Sequence, residues 1–366
     1  MTQPLSSDDC LKNQDALDSA LLTWLDLVFA DTDFSVQSLA GDASSRRYHR
    51  LTVDAVSYIV MDSSADKAAM AQFVNVAELM SVKIHVPKII AKDLEQGFLV
   101  LEDFGAVEFA HLLIDADDKA VDGYYQWAMA ALIELQKIPV EMAKDKHQIP
   151  DYDAEMLNRE MDLFSDWLLP YLGVTIAPAL WQSFKSELIA AISAQPQVIV
   201  HRDYHSRNLM QSQNDNSSLG VIDFQDAVIG AYTYDLVSLV RDAYIDFPED
   251  WVQKWIGDFW QKLKDNDMPA AQTATEFETQ VNIMGVQRHL KVLGIFVRLS
   301  QRDGKDRYLA DMPKVMRDLV IELDYLQNAD LTSLANGQLK TAMVEFSEWL
   351  HSEALPIFEQ KFKPLK

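Results

Sequence analysis

The apolar run Val198-Ile199-Val200 ends in His201-Arg202-Asp203, and Asn208 follows Asp203 by five positions. A strand buried in a core has no use for these polar groups at its end, so they point to chemistry. A second apolar run, "LGVIDFQDA", carries Asp223 near its end, and the polar stretch "SQNDNSS" between the two runs is rich in turn formers. That pattern predicts a hairpin. Its closure is expected to bring Asn208 and Asp223 side by side, near the end of the strand that leads to Asp203. Two carboxylates and one amide oxygen would then converge. Such hard oxygen ligands suit Mg²⁺, which takes few protein ligands and completes its shell with water and phosphate.

Phosphoryl transfer uses such a group. Its transition state spreads charge over the moving oxygens, so catalysis is mostly positioning and charge neutralisation. One carboxylate must stay off the metal to orient the attacking hydroxyl and accept its proton. Asp203 takes that role here, with Asn208 and Asp223 as the metal ligands and His201 supporting the loop by hydrogen bonds. The order His201-Arg202-Asp203 with Asn208 matches the kinase catalytic loop H-R-D-x-x-x-x-N, and Asp223-Phe224-Gln225 stands where D-F-G would.

The elements that must position these residues fall into two textures. Residues 8–30 read as a helix, followed by the strand-like runs "FSVQSLA", "RRYHRLTV" and "SYIVMD". Helical period returns over 66–81, and "VPKIIAKDLEQGFLVLEDFG" reads as two strands around a turn at Glu95–Gly97. Residues 34–103 therefore predict a small antiparallel sheet with one helix laid against it. Beyond Gly105 helices dominate, over 120–137, 151–169, 177–194, 233–247, 250–264, 273–302 and 340–361, with strands only at 197–200, 208–211 and 219–223. The expected fold class is α+β, with a nucleotide-binding lobe of residues 1–103 and a larger helical lobe of 104–366 that carries the catalytic loop, the metal hairpin and the acceptor site.

Composition narrows the partners. The 366 residues are 49% hydrophobic, enough for a sizeable core in two lobes. A formal net charge of −24 argues against nucleic acid, whose binding needs a basic surface. It suits a cationic small molecule or simply a soluble surface. No apolar stretch long enough to span a bilayer and no signal-peptide pattern are present, so no membrane partner is expected. Cys10 is the single cysteine and the eight His are scattered, which argues against a disulfide or a structural zinc site. The expected compartment is the cytoplasm; nothing in the sequence sets an oligomeric state.

The stretch "HRDYHSRNLM…LGVIDFQDAVIGAYTYDLVSL" resembles the aminoglycoside phosphotransferase and choline kinase-like superfamily, with its H-x-D-x-x-x-x-N, I-D-F and Y-D-L signatures. The resemblance implies a bilobal protein-kinase-like fold and a loop-bracing role for Asp235. "LAGDASSRRYHRL", "VPKIIAKDLEQGFLVLEDFG" and "GVQRHLKVLGIFVRLSQRDGKDRYLADMP" further resemble the bacterial anomeric sugar kinases of cell-wall recycling. That branch implies ATP and Mg²⁺ as cofactors and an amino sugar as acceptor, N-acetylmuramate and N-acetylglucosamine being phosphorylated at the anomeric hydroxyl. A kinase of a cationic alcohol and a nucleotide-binding pseudokinase are the competing readings.

In this frame "AGDASSRRY" reads as a small-residue loop whose amides approach phosphates, through Gly41, Asp42, Ala43, Ser44 and Ser45, with Arg46 or Arg47 adding positive charge. By resemblance, the backbone from Glu102 to Phe104 pairs with adenine. The superfamily's third-strand lysine is replaced by Met61, which neither donates a hydrogen bond nor neutralises phosphate. For the acceptor, Glu155 and Arg159 lie on the polar side of a helix over 151–169, and Arg288 is the expected reader of the lactyl carboxylate of N-acetylmuramate.

Overall fold

The computed structural model describes residues 19–30, 32–39, 46–213, 218–331 and 338–362. The chain divides into two compact units, Met1–Val107 with Met210–Gln225, and Glu108–Leu209 with Asp226–Lys366.

The first unit opens with helix α1 (Ser19–Val28) and strands β1 (Phe34–Ser38), β2 (Arg47–Val53) and β3 (Val56–Asp62). Helix α2 (Lys67–Met80) follows, then β4 (Ile89–Asp93) and β5 (Phe98–Glu102). All pairings are antiparallel and the strand order is β1-β2-β3-β5-β4. Period-two alternation sorts the side chains. Leu51, Val53, Val60, Phe98 and Val100 form one core with Leu21, Trp24 and Leu25 of α1. The alternate set, including Arg50, Ile59, Met61 and Leu99, therefore lies on the opposite face. Asp66 starts α2 by accepting the Ala69 N–H at 3.0 Å. Met70, Phe73, Val76, Ala77 and Met80 form its buried side.

The second unit begins with α3 (Phe109–Leu113), α4 (Asp118–Gln136), α5 (Val140–His147) and α6 (Ala154–Leu163). Helix α6 runs through a π-helical turn at Phe164–Leu168 into α7 (Leu169–Leu172), and α8 (Pro178–Ser193) leads to β6 (Gln197–Val200). Strands β7 (Leu209–Gln211) and β8 (Leu219–Val221) pair as the expected hairpin. Strand β9 (Val228–Ala231) then pairs antiparallel with β6. Helices α9 (Tyr234–Val240), α10 (Glu249–Asp265), α11 (Ala274–Asp303), α12 (Met312–Asn328) and α13 (Gln338–Trp349) complete the body of this unit. Helix α11 is its spine, with nineteen buried residues. Gly294 is where α6 comes closest: a Cβ there would lie 2.3 Å from the Leu163 backbone.

Two expectations need correction. The hairpin groups with the first unit, not with the helical half, and that unit extends to Val107. The reason is local bonding. Gln213 donates its backbone N–H to Phe104 and its side-chain amide to Asp103, both at 3.0 Å. Gly220 leaves no room for a Cβ beside the Phe104 ring. The predicted helix over 233–247 stops at Val240.

Candidate active site

In the second unit, β6 delivers the chain into the loop His201–Asn208. The loop turns at once, because Arg202 adopts the left-handed region at φ 77°. A non-glycine residue in that region costs energy and needs outside support. Asp235, in the first turn of α9, supplies it: its carboxylate accepts the His201 N–H at 2.7 Å and the Arg202 N–H at 3.0 Å. His201 is fully buried, and its Nδ1 accepts the Asp203 N–H at 3.2 Å. Asn208 donates from Nδ2 to the Asp203 carbonyl at 3.0 Å, and its own N–H bonds the His205 carbonyl at 2.9 Å. The loop is thus closed on itself and pinned from below by a buried carboxylate. Asp203 is half-buried at its centre.

A buried charge network surrounds the loop. Arg202 donates to the Glu160 carboxylate and to the Asp226 carbonyl at 3.3 Å. Lys291 of α11 reaches the same Glu160 at 3.2 Å and the Tyr234 hydroxyl at 3.0 Å. Tyr152 donates its hydroxyl to Glu160 as well. Burial by itself would raise the Asp203 carboxyl, but Lys291, with His205, His201 and Arg202, outweighs it and holds Asp203 below the usual carboxylate range. Glu160 is likewise held low against its burial, by Lys291 and Arg202. Asp235 goes the other way. Burial dominates over its two N–H donors and pushes it up to about 7.

In the first unit, Asp223 follows β8 in the left-handed region, φ 63°, and its carboxylate accepts from Gln225 Nε2 at 2.8 Å. Phe224 is fully buried against Phe73 of α2, ring centroids 4.8 Å apart. Arg46 hydrogen-bonds Tyr48; burial raises that phenol above its ordinary value, with Arg46 opposing and Asp223 adding to the rise. Arg47 is engaged by Asp62 at 2.6 Å. Met61 is fully buried, in register between Tyr48 and Leu99. Where β5 ends, Asp103 accepts from Arg50 Nε at 2.8 Å, from Ser57 and from the Gly105 N–H at 2.8 Å. The Asp103 and Phe104 carbonyls are both occupied by Gln213, and the Glu102 side chain bonds His85.

Asp203, His201, Asn208 and Asp235 therefore share one loop network, and Asp223 and Arg46 share another in the first unit. Gly41, Asp42, Ala43, Ser44 and Ser45 lie outside the described residues. Glu155 and Arg159 are exposed on α6. Arg288 is turned inward at 4% exposure, with Nη2 on Ser238 Oγ at 2.8 Å. Glu78 forms an exposed pair with Lys92 at 3.4 Å. Sequence reasoning missed Glu160 and the role of Lys291. Glu160 sits next to Arg159 on a helix whose polar side carries Glu155 and Arg159, and no local signal marks it as the buried one.

A family model described as the phosphotransferase enzyme family matches residues 35–272. The chain is 41% identical over 285 residues to the N-acetylmuramate/N-acetylglucosamine kinase of Pseudomonas putida, covering 76% of this chain and 81% of that protein. It is 38% identical over 305 residues to the protein of the same name from Neisseria meningitidis serogroup B, covering 82% of this chain and 89% of the other. Among solved structures, an ADP-bound aminoglycoside phosphotransferase aligns with TM-score 0.57 at 13% identity, over 82% of this chain and 98% of that one. A Plasmodium vivax ethanolamine kinase aligns with TM-score 0.55 at 10% identity, over 79% and 82%. These structures establish a kinase-like fold, and the sequence match goes further: the chain belongs to the phosphotransferase enzyme family.

Proposed function

We propose that this phosphotransferase is an ATP- and Mg²⁺-dependent kinase of N-acetylmuramate and N-acetylglucosamine, transferring the γ-phosphoryl group to the anomeric hydroxyl to give the sugar 1-phosphate and ADP. The acceptor is carried by one observation: about 40% identity, over most of both chains, to bacterial proteins bearing that name. The same reading includes a place in cytoplasmic recycling of cell-wall sugars, supported by the resemblance of the sequence to that branch of kinases.

Asp203 orients the acceptor hydroxyl and takes its proton. Its lowered carboxyl keeps it ionised at neutral pH, ready to accept a hydrogen bond. A weak base suffices, because proton transfer lags behind phosphoryl transfer in a loose transition state and an anomeric hydroxyl is more acidic than an ordinary alcohol. Asn208 and Asp223 are the Mg²⁺ ligands in this reading. The donor chemistry fits: Asn208 spends its amide N–H on the Asp203 carbonyl, which leaves Oδ1 for a cation, and Asp223 offers a carboxylate that accepts from Gln225 Nε2 at Oδ1. Mg²⁺ bound there would neutralise charge on the phosphate oxygens. Glu160 and Lys291 hold the field around Asp203. Arg46, which hydrogen-bonds Tyr48 where Asp223 is also felt, is assigned the cation that Met61 does not supply, while Arg47 pairs with Asp62. At the Glu102–Phe104 segment, the Phe104 N–H is the donor assigned to an adenine ring nitrogen, the Asp103 and Phe104 carbonyls being occupied.

The test is turnover of purified protein with ATP and Mg²⁺ against both sugars, choline and an aminoglycoside, reading ADP release and the 1-phosphate by ³¹P NMR. Both sugars are expected to react, and Asp203→Asn is expected to lower kcat roughly 10²- to 10⁴-fold. In the same assay Arg46→Ala should raise KM for ATP more than Arg47→Ala. Phosphorylation of the cationic alcohols alone would replace the acceptor; turnover surviving in Asp203→Asn would remove Asp203 as the base.

A further inference from the structure

We propose that Arg207 reads the carboxylate of an acidic sugar acceptor and so sets the preference between N-acetylmuramate and N-acetylglucosamine; this rests on the acceptor reading above. Arg207 sits in the turn that closes the catalytic loop, between Ser206 and Asn208. Its guanidinium carbon lies 3.5 Å from the centroid of the Tyr244 ring, a flat stacking distance. His205 meets the same ring edge-on at 5.4 Å. The arrangement is built, because one carboxylate clamps both sides of it. Asp242, 1% exposed, accepts the Ser206 N–H and the Tyr244 N–H, each at 2.9 Å. Phe296 backs Tyr244 at 6.3 Å and meets Tyr308 at 5.3 Å, which extends the aromatic wall.

The chemistry of the stack points to a carboxylate. A guanidinium resting on an aromatic face loses its freedom to wander but keeps its N–H edge free, and that edge matches a carboxylate bidentately. Arg207 is exposed, and among the described residues its guanidinium makes no hydrogen bond or ion pair. Asp311, at the start of α12, lies within its electrostatic reach without pairing to it. Arg288, named from the sequence for this role, is unsuited: it is buried on Ser238 beside Asp235, and turning it outward would strip both. Arg207 is instead four residues past Asp203 on the same loop. An acceptor with its hydroxyl on Asp203 and a carboxylate several bonds away would span the two. A neutral sugar has nothing to offer the guanidinium, so the contact would discriminate between acceptors.

The experiment compares kcat/KM for the two sugars in wild type, Arg207→Ala and Arg207→Lys, with the lactyl methyl ester of N-acetylmuramate as a third acceptor. Arg207→Ala is expected to lower the N-acetylmuramate to N-acetylglucosamine ratio roughly ten- to a hundredfold, the loss of a charge-assisted contact. Arg207→Lys should fall between, because the charge stays and the fork is lost. The ester should be a poor acceptor for wild type and insensitive to the substitution. Turnover of N-acetylglucosamine reports that each variant is folded. A ratio unchanged within twofold overturns the inference alone. An equal fall on both sugars with a raised KM for ATP also overturns it, and assigns Arg207 to phosphate. Wild-type turnover of neither sugar overturns the acceptor reading and this inference together.

Discussion

Asp103 in the first unit and Asp235 in the second are both nearly fully buried, and both hold a loop in place, yet their environments push them in opposite directions. Asp103 pins the segment after β5. Burial would raise it, but Arg50, Ser57 and the Gly105 N–H outweigh that and hold it below the usual range. Asp235 pins the loop His201–Asn208 by accepting two peptide N–H groups; burial outweighs these and the electrostatic pull of Arg288 and lifts it to about 7. The difference is whether a guanidinium is hydrogen-bonded to the carboxylate, as Arg50 is to Asp103. Where one is bonded to the carboxylate, the anchor is an ion pair and depends on its cation. Where peptide groups supply the hydrogen bonds, as at Asp235, the anchor depends on two acceptor oxygens being aimed correctly, and desolvation is the largest influence on its charge.

The largest expected break is Asp235→Asn. An amide has one acceptor oxygen, and its NH₂ would face one of the two loop N–H groups. The loop should shift, and a misplacement of about 1 Å near the reacting atoms costs roughly a hundredfold in rate. Steady-state kinetics should show that fall in kcat with little change in KM for ATP; a variant with wild-type kcat would remove the bracing role. Next is Arg50→Met, which leaves Asp103 buried without its cation. Denaturation should show a loss of about 2 kcal/mol, moderated by the partial exposure of Arg50. Adding Asp103→Leu should recover much of it.

The smallest effect is a trend with pH, and it has opposite sign at the two anchors. In the native state Asp235 keeps a proton up to about 7, whereas the unfolded chain releases it near the ordinary carboxylate value. Its contribution to stability therefore falls as pH rises between those values, so Asp235→Asn should destabilise most near about pH 4 and least near about pH 7. Asp103 is lowered, so its contribution is present above the unfolded value and is lost as pH falls through the folded one. Arg50→Met raises that carboxyl, and its penalty should grow from about pH 4 to about pH 7. Denaturant midpoints across this range measure both; parallel trends would show that the two aspartates are alike after all.

The loop His201–Asn208 was legible as a candidate site because its information is local. Five positions separate Asp203 from Asn208, and the residue types carry their roles with them. The sheet of the first unit was legible for the same reason: β1 alternates apolar and polar residues, β3 is a short run rich in β-branched and aromatic residues, and β4 and β5 flank an obvious turn. Strand β9 escaped notice because four small apolar residues carry no period, and its partner β6 is 28 residues away at the nearest pair, Val200 and Val228. Helix α12 also went unread, although Val315, Met316, Leu319, Leu323 and Leu326 are spaced for it. Arg288 lies in the stretch of α11 from Thr279 to Lys291 that is buried on every side, so a charge there turns to partners inside the protein, which no local pattern records.

By itself the sequence determined which groups are candidates for the chemistry, because a carboxylate, an amide and their spacing act through properties that each residue brings with it. It also determined the two textures of the chain, through short-range periodicity. Tertiary structure alone decided which charges are buried and what they meet: Glu160 between Arg202 and Lys291, Arg288 on Ser238, the hairpin fastened to the segment after β5 by Gln213. The physical reason is that desolvation and pairing depend on neighbours distant in the chain, and no local pattern records which of two adjacent polar residues will be taken out of water.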